Sequence, residues 1–290
     1  MGRFAPSPSG DLHLGSLYTA AGAYLDARAH GGRFLLRIED LDRPREIAGS
    51  AARMLATLHA FGFEWDGPVV RQRERGERYA AALDALQARG HCFLCACSRP
   101  RRGEEARYPG TCRERGVPAS TRPAVRVRVE PGEIAVFDRL QGIFRQDLAA
   151  AAGDFIVKRR DGIIAYVLAV VVDDAAQGVT DVVRGADLLE STPRQVYLQR
   201  LLGLPTPRYA HLPVLLEADG GKLAKSRRSV RLDADSAAPQ LHRIFSLLGL
   251  RPPGELRRAP IATAWAWAAA HWDLQRVPAR VSVPLADLQE

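Results

Sequence analysis

Two prolines and a glycine fall within the stretch Pro6-Ser7-Pro8-Ser9-Gly10, almost at the start of the chain. Neither a helix nor a strand interior accommodates that spacing. Before it, Arg3-Phe4-Ala5 reads as a short strand. After it, Leu14, Leu17, Tyr18, Ala21 and Leu25 recur at helical spacing on one face. A strand, a tight loop and a helix start in this order make an anion site, because unpaired amides and the positive end of the helix dipole face the loop. His13 stands at the mouth of that helix as a donor to phosphate oxygens, and Gly15 admits a ligand close to the backbone. No Gly-Lys-Ser/Thr follows, so this is not a Walker loop.

Gly31-Gly32 ends the helix, and Arg33 to Ile38 reads as a second strand, continuously apolar over Phe34 to Leu36. Such a run suits a central parallel strand covered on both faces, and strand, helix, strand is a βαβ unit. The carboxylates of Glu39, Asp40 and Asp42 follow at its carboxyl end, where open α/β sheets bind ligands. Helices are predicted around Met54 to Phe61 and Tyr79 to Leu86. The segment 92–148 changes character. It has a short β-like start, an arginine-rich loop, an alternating Val125-Val127-Val129 strand and a hairpin over 134–147. It is read as an inserted, mostly β module between 1–91 and 149–232, the two parts of a catalytic α/β domain. Ile163 to Val172 fits strand by its valines and helix by its spacing. Val179 to Arg184 and His211 to Leu216 read as strands, with a helix over Val196 to Leu202 between them. A polar loop, Asp219 to Arg228, precedes a helical C-terminal part over 233–290.

At 290 residues and 47% hydrophobic, the chain can bury a proper core. With 41 basic against 33 acidic residues, its net charge of +8 is compatible with nucleic acid and equally with plain solubility. No leader pattern precedes the first strand, and no apolar run reaches the ~20 residues of a membrane helix. A cytoplasmic monomer is expected. The four cysteines, all within Cys92 to Cys112, suggest a metal sooner than disulfides in such a setting. Cys95-x-Cys97 supplies two thiolates and Cys112 a third, while Cys92 and His91 compete for a fourth position.

Three motifs carry a family resemblance. Pro6 to Gly10 with His13-Leu14-Gly15-Ser16 resembles the first signature of class I aminoacyl-tRNA synthetases, and Lys222-Leu223-Ala224-Lys225-Ser226 resembles their lysine-rich second one. Arg37-Ile38-Glu39-Asp40-Leu41-Asp42 is similar to the segment that marks the glutamate and glutamine branch. The likeness spans roughly the first 230 residues. Ser16 stands where many synthetases have a second histidine, and Ala224 replaces a usual serine or methionine, while both lysines remain. A chain ending at Glu290 leaves no room for C-terminal anticodon-binding domains. That layout with the Cys-x-Cys module is similar to the glutamyl-Q tRNA(Asp) synthetases.

The resemblance implies a Rossmann-like catalytic domain with an inserted zinc-binding module. It implies activation of L-glutamate by ATP with Mg²⁺, then transfer to the queuosine base in the anticodon of tRNA(Asp). His13, Gly15, Lys222 and Lys225 would hold ATP, with His13 and Lys225 catalytic. Arg3, Ser7, Glu39, Tyr166 and Arg184 would form the glutamate pocket. One structural Zn²⁺ per chain would sit on Cys95, Cys97, Cys112 and Tyr108, the last matching an unusual fourth ligand of the family. Two arginine groups flank these sites, Arg99, Arg101, Arg102, Arg107 and Arg113, and Arg227, Arg228 and Arg231 beside Lys225; phosphate contacts are expected of both.

Overall fold

Gly2–Phe4 forms strand β1, and Leu14–Ala29 forms helix α1. The computed structural model describes residues 1–97, 107–217, 220–221 and 232–285. The chain continues through β2 (Phe34–Ile38), α2 (Ser50–Ala60), β3 (Val70–Arg71), α3 (Gly76–Ala88), β4 (Cys92–Cys95), β5 (Ala124–Val127), β6 (Glu133–Asp138) and β7 (Gly142–Asp147). Then come α4 (Leu148–Ala151), β8 (Ile156–Lys158), α5 (Tyr166–Ala176), β9 (Asp181–Gly185), α6 (Thr192–Leu202) and β10 (Arg208–Leu212). Last are β11 (Val214–Leu216), α7 (Ala237–Leu247), α8 (Ile261–Ala270) and β12 (Ser282–Pro284).

β1 pairs in parallel with β2, Arg3 opposite Leu35, and β2 in parallel with β3. β9 pairs in parallel with β10, Arg184 opposite His211. The two sets meet at β1, where the Met1 carbonyl accepts from the amides of Thr180 and Asp181 at 3.0 and 3.1 Å. Side by side the strands then run β3-β2-β1-β9-β10, the first three in one hydrogen-bonded sheet and the last two in another, winding one way from β1 and the other way from β9. A crevice opens between carboxyl ends wherever winding reverses in such a sheet. Here it opens between Phe4 and Gly185.

The early apolar face is buried as its spacing predicts, from Leu14 through Leu25. α1 is covered on its other side too, by α7 and α8. Gly22 allows the close approach of α1 to β10: a Cβ there would lie 2.5 Å from Leu212 Cδ1. Tyr24, Phe34, Phe63 and Trp265 interlock edge to face, and Trp265 Nε1 donates to the Phe61 carbonyl at 2.8 Å. The helical part beginning near residue 233 thus shares one core with the catalytic sheet instead of standing apart.

Of the two readings open for Ile163 to Val172, helix holds from Tyr166 onward as α5, with Asp173 and Asp174 on its buried side paired to arginines. Other elements differ from the sequence reading. The expected strand His211 to Leu216 breaks at Pro213, which has no amide to donate, into β10 and β11. β11 instead pairs in parallel with β12, a strand within the part expected to be helical. The 134–147 hairpin, assigned to the inserted module, joins the main sheet: β6 lies parallel to β10 and antiparallel to β7. The small module sheet is instead β4-β5-β8.

Candidate active site

The crevice is a cavity of about 930 Å³. The proline loop forms one wall and is tied down at both ends. Glu39 N donates to the Pro6 carbonyl and Ile47 N to the Pro8 carbonyl, each at 2.9 Å. His13 is the N-cap of α1, its Nδ1 accepting from Ser16 N at 3.2 Å. Capping and cavity lining coincide in this one residue, and Gly15 and Ser7 line the same space. The lysine loop with Lys222 and Lys225 lies outside the described residues, as do Arg99, Arg101, Arg102, Arg227, Arg228 and Arg231. Arg113 is engaged internally, 3.4 Å from Asp154.

Arg3, Glu39, Tyr166 and Arg184 all line the cavity. They come from β1, the end of β2, the start of α5 and β9, so the topology itself assembles them. Arg3 is buried and its Nε lies 3.3 Å from Asp174 Oδ1. Arg37, fully buried, donates to the same oxygen at 2.8 Å and reaches Glu39 Oε1 at 3.4 Å. Burial alone would raise the Asp174 carboxyl, but Arg3 and Arg37 outweigh it and hold it below the ordinary range. For Glu39 the balance is opposite. Burial prevails over both arginines and raises its carboxyl. Beside it, Asp173 accepts from Arg75 Nε at 2.5 Å, Tyr79 Oη at 2.8 Å and Gln72 Nε2 at 2.8 Å. Arg3, Arg37 and Arg75 therefore balance Asp173, Asp174 and Glu39.

Arg184 is different. It is 4% exposed, and its partners are neutral: Nε to His211 Nε2 at 3.0 Å, Nη2 to Thr192 Oγ1 at 2.9 Å and Gln195 Oε1 at 2.8 Å, and Nη1 to Tyr166 Oη at 3.4 Å. Among the described residues no carboxylate reaches it, Asp187 included. A buried guanidinium without an anion is costly unless a ligand brings one. Among the described residues, then, no carboxylate within ion-pair distance answers the charge of Arg184.

A second cluster lies in the small module. The Cys95, Cys97 and Cys112 sulfurs lie within 4.8 Å of one another. Tyr108 Oη accepts from Cys112 N at 2.8 Å and from Cys95 Sγ at 3.5 Å, and lies 3.9 Å from Cys97 Sγ. Burial would raise the Cys112 thiol, but hydrogen bonds from Tyr108 and the Ala96 amide hold it at about 7. Cys92 packs elsewhere, in the core with Tyr79 and Leu83, where burial pushes its thiol up to about 12. Gly153 keeps Tyr108 in place: with φ +61°, a Cβ would come 2.6 Å from the Tyr108 carbonyl oxygen.

Sequence reasoning missed Asp173 and Asp174 as partners of the pocket arginines, and Asp138, His211, Thr192 and Gln195 behind Arg184. The adjacent acids on an apolar segment were the one local signal.

Comparison with known proteins adds to this geometry. The profile of tRNA synthetases class I (E and Q), catalytic domain, matches residues 1–250. The chain is 53% identical over 290 residues to the glutamyl-Q tRNA(Asp) synthetase of Ectopseudomonas mendocina, covering 100% of this chain and 98% of that protein. It is 53% identical over 286 residues to the glutamyl-Q tRNA(Asp) synthetase of Thiobacillus denitrificans, covering 96% and 95%. A solved glutamate tRNA ligase from Elizabethkingia meningosepticum, in complex with its amino acid, shares the fold with a TM-score of 0.82 at 24% identity. That likeness covers 98% of this chain and 66% of that longer one.

Proposed function

The chain belongs to the class I tRNA synthetases of the glutamate and glutamine branch, within the glutamyl-Q tRNA(Asp) synthetases, and we propose that its cavity makes glutamyl-adenylate and passes the glutamyl group to queuosine in tRNA(Asp). One observation carries the choice of amino acid. The acids and bases around Arg3 balance, and Arg184 adds one positive charge with no anion of its own. Glutamate, with two carboxylates and one ammonium, has net charge −1. Glutamine has none. In this reading Arg184 and Tyr166 take the side-chain carboxylate. Glu39 takes the ammonium, whose charge offsets the burial that otherwise favours the neutral acid. Arg3 and Ser7 hold the α-carboxylate.

An α-carboxylate oxygen then attacks the α-phosphorus of ATP, and the bond to the bridging oxygen breaks, releasing pyrophosphate. His13 and the first amides of α1 stabilise charge growing on the phosphoryl oxygens. By the motif match Lys225 would bind the phosphates, with Lys222 less direct, and Mg²⁺ carried by ATP would neutralise charge on the leaving pyrophosphate. In the second step a hydroxyl of the cyclopentenediol attacks the glutamyl carbonyl carbon, the C–O bond to AMP breaks, and the hydroxyl proton leaves with the phosphate. The roles of His13 and of the glutamate pocket rest on the motif match together with this geometry, and that of Lys225 on the motif match alone. The queuosine destination rests on likeness over nearly the whole length of the relatives.

The inserted module would hold one Zn²⁺. Tetrahedral thiolates at about 2.3 Å from zinc would stand roughly 3.8 Å apart, a spacing the three sulfurs, all within 4.8 Å of one another, can meet, and Tyr108 would be the fourth ligand. Bound there, zinc would cross-link a module with few apolar side chains. We assign the reaction to the cytoplasm and to a single chain; among the described residues no helix is long and apolar enough to cross a membrane.

The test is glutamate-dependent ATP–pyrophosphate exchange, then glutamate transfer to tRNA(Asp) with queuosine or with unmodified guanosine. Exchange with glutamate and not glutamine, and transfer only to the queuosine form with its 3′ end blocked, is expected. Incorporation into unmodified tRNA that vanishes on 3′ blocking would indicate ordinary charging. Metal analysis completes it: one zinc per chain, kept in Cys92→Ser and lost in Cys112→Ser.

A further inference from the structure

Behind Arg184, on the side away from the cavity, His211 and Asp138 are both fully buried. Asp138 ends β6, and His211 lies two residues past its pairing partner Tyr209 on β10. The two oxygens of Asp138 are used differently. Oδ1 accepts from the amides of Leu140 at 3.0 Å, Gln141 at 2.8 Å and His211 at 3.2 Å. Oδ2 lies 2.5 Å from His211 Nδ1. A carboxylate can only accept, so Nδ1 carries the imidazole proton. Burial, with Arg184 close by, lowers the affinity of His211 for a second proton, so Nε2 keeps a bare lone pair. That lone pair accepts from Arg184 Nε at 3.0 Å, and Thr192 Oγ1, which donates to the Leu188 carbonyl at 3.1 Å, lies 3.2 Å from it.

We propose that Asp138 and His211 are a positioning pair for substrate recognition: Asp138 fixes the imidazole tautomer, and the imidazole fixes the guanidinium of Arg184. Their effect is selective by edge. His211, Thr192 and Gln195 use the Nε and Nη2 protons, and none of the three lines the cavity. Tyr166, the one partner that does, meets Nη1. A single edge of Arg184 is left to face a carboxylate. Neutral acceptors hold the guanidinium in place without neutralising it, which an acidic partner would do. The inference rests on the reading that Arg184 takes the side-chain carboxylate of glutamate.

Asp138→Asn separates positioning from plain packing. Its amide oxygen must stay at Oδ1, where three amides donate. The NH₂ then occupies Oδ2 and donates to Nδ1. The imidazole proton is forced onto Nε2, pointing at Arg184 Nε–H, donor against donor. The expected result is a glutamate KM at least ~10-fold higher with the ATP KM unchanged. His211→Gln puts an amide oxygen near the Nε2 position and has no tautomer, so its glutamate KM should stay within ~3-fold of wild type. The double variant Asp138→Asn/His211→Gln should return to that level, one substitution correcting the other. Losses that add, or an unchanged glutamate KM in Asp138→Asn, would overturn the proposal.

Imidazole ¹⁵N NMR of the wild type reads the tautomer directly and does not depend on any variant folding. His211, identified by the signal missing in His211→Gln, should be protonated at Nδ1; protonation at Nε2 would overturn the proposal. Arg184→Lys checks the underlying reading separately. An unchanged glutamate KM there would remove the cavity assignment while leaving the tautomer result standing.

Discussion

Arg3 and Arg184 are equally buried, line the same cavity and sit on adjacent parallel strands, yet they are held in opposite ways. Arg3 shares Asp174 with Arg37, so its charge is answered inside the protein. Arg184 has a full set of hydrogen bonds and no anion among the described residues. The first arrangement leaves Arg3 a donor whose charge is already answered, and the second leaves Arg184 a donor whose charge is not. Satisfying hydrogen bonds and neutralising charge are separate operations. A site that does the first without the second keeps its field for the ligand.

The sharpest way to break this contrast is Asp174→Ala. It strands Arg3 and Arg37 without their shared carboxylate and should cost about 3–5 kcal/mol of stability in urea unfolding. A loss below about 1 kcal/mol would mean that Arg3 is no more committed than Arg184. Next comes Arg184→Ala, which should lower kcat/KM for glutamate by at least ~2 kcal/mol, roughly 30-fold. Its cost in stability should be smaller than that of Asp174→Ala, since Thr192 Oγ1 and His211 Nε2 already lie within hydrogen-bond distance of each other, at 3.2 Å. Equal destabilisation by the two variants would erase the distinction.

The two acids around Arg3 sharpen the contrast by pH. Asp174 is depressed, so its stabilisation is full above the unfolded value of about 3.9 and is lost as pH falls through the folded one. Glu39 is raised, so its folded form binds the proton more tightly. Stability then falls as pH rises from the unfolded value of about 4.3 through the folded one. Unfolding curves across that acid range should steepen or flatten in opposite senses for Asp174→Asn and Glu39→Gln. Matching changes would contradict the assignments. Smallest of all, Tyr166→Phe should raise the glutamate KM by about 0.5–1.5 kcal/mol, because the bond to Arg184 is long and Nη1 keeps its place without it.

What could be read from the sequence was what lies close along the chain or repeats at a fixed period. The proline loop, the buried face of α1 and the clustered Cys95, Cys97 and Cys112 are local patterns, and the structure brings each together. Arg3, Glu39, Tyr166 and Arg184 come from distant elements and were named through family resemblance, which encodes three-dimensional neighbourhood that spacing does not. Asp138 and His211, 73 residues apart, stayed invisible because each looks like an ordinary polar strand residue. The same limit misplaced the 134–147 hairpin. The hairpin itself is read correctly, but no local feature says that β10 is its neighbour.

The place of β1 between β2 and β9 also has a consequence in time. During synthesis β1 can pair with β2 early, but its other edge stays open until Thr180 and Asp181 arrive to donate to the Met1 carbonyl. At roughly 5–20 residues per second that wait is on the order of ten to forty seconds. Throughout it Arg3 lacks Asp174, and an apolar strand presents unpaired backbone to its surroundings. The pocket therefore cannot form until the chain has reached Arg184, although its first wall is made at the very start of synthesis.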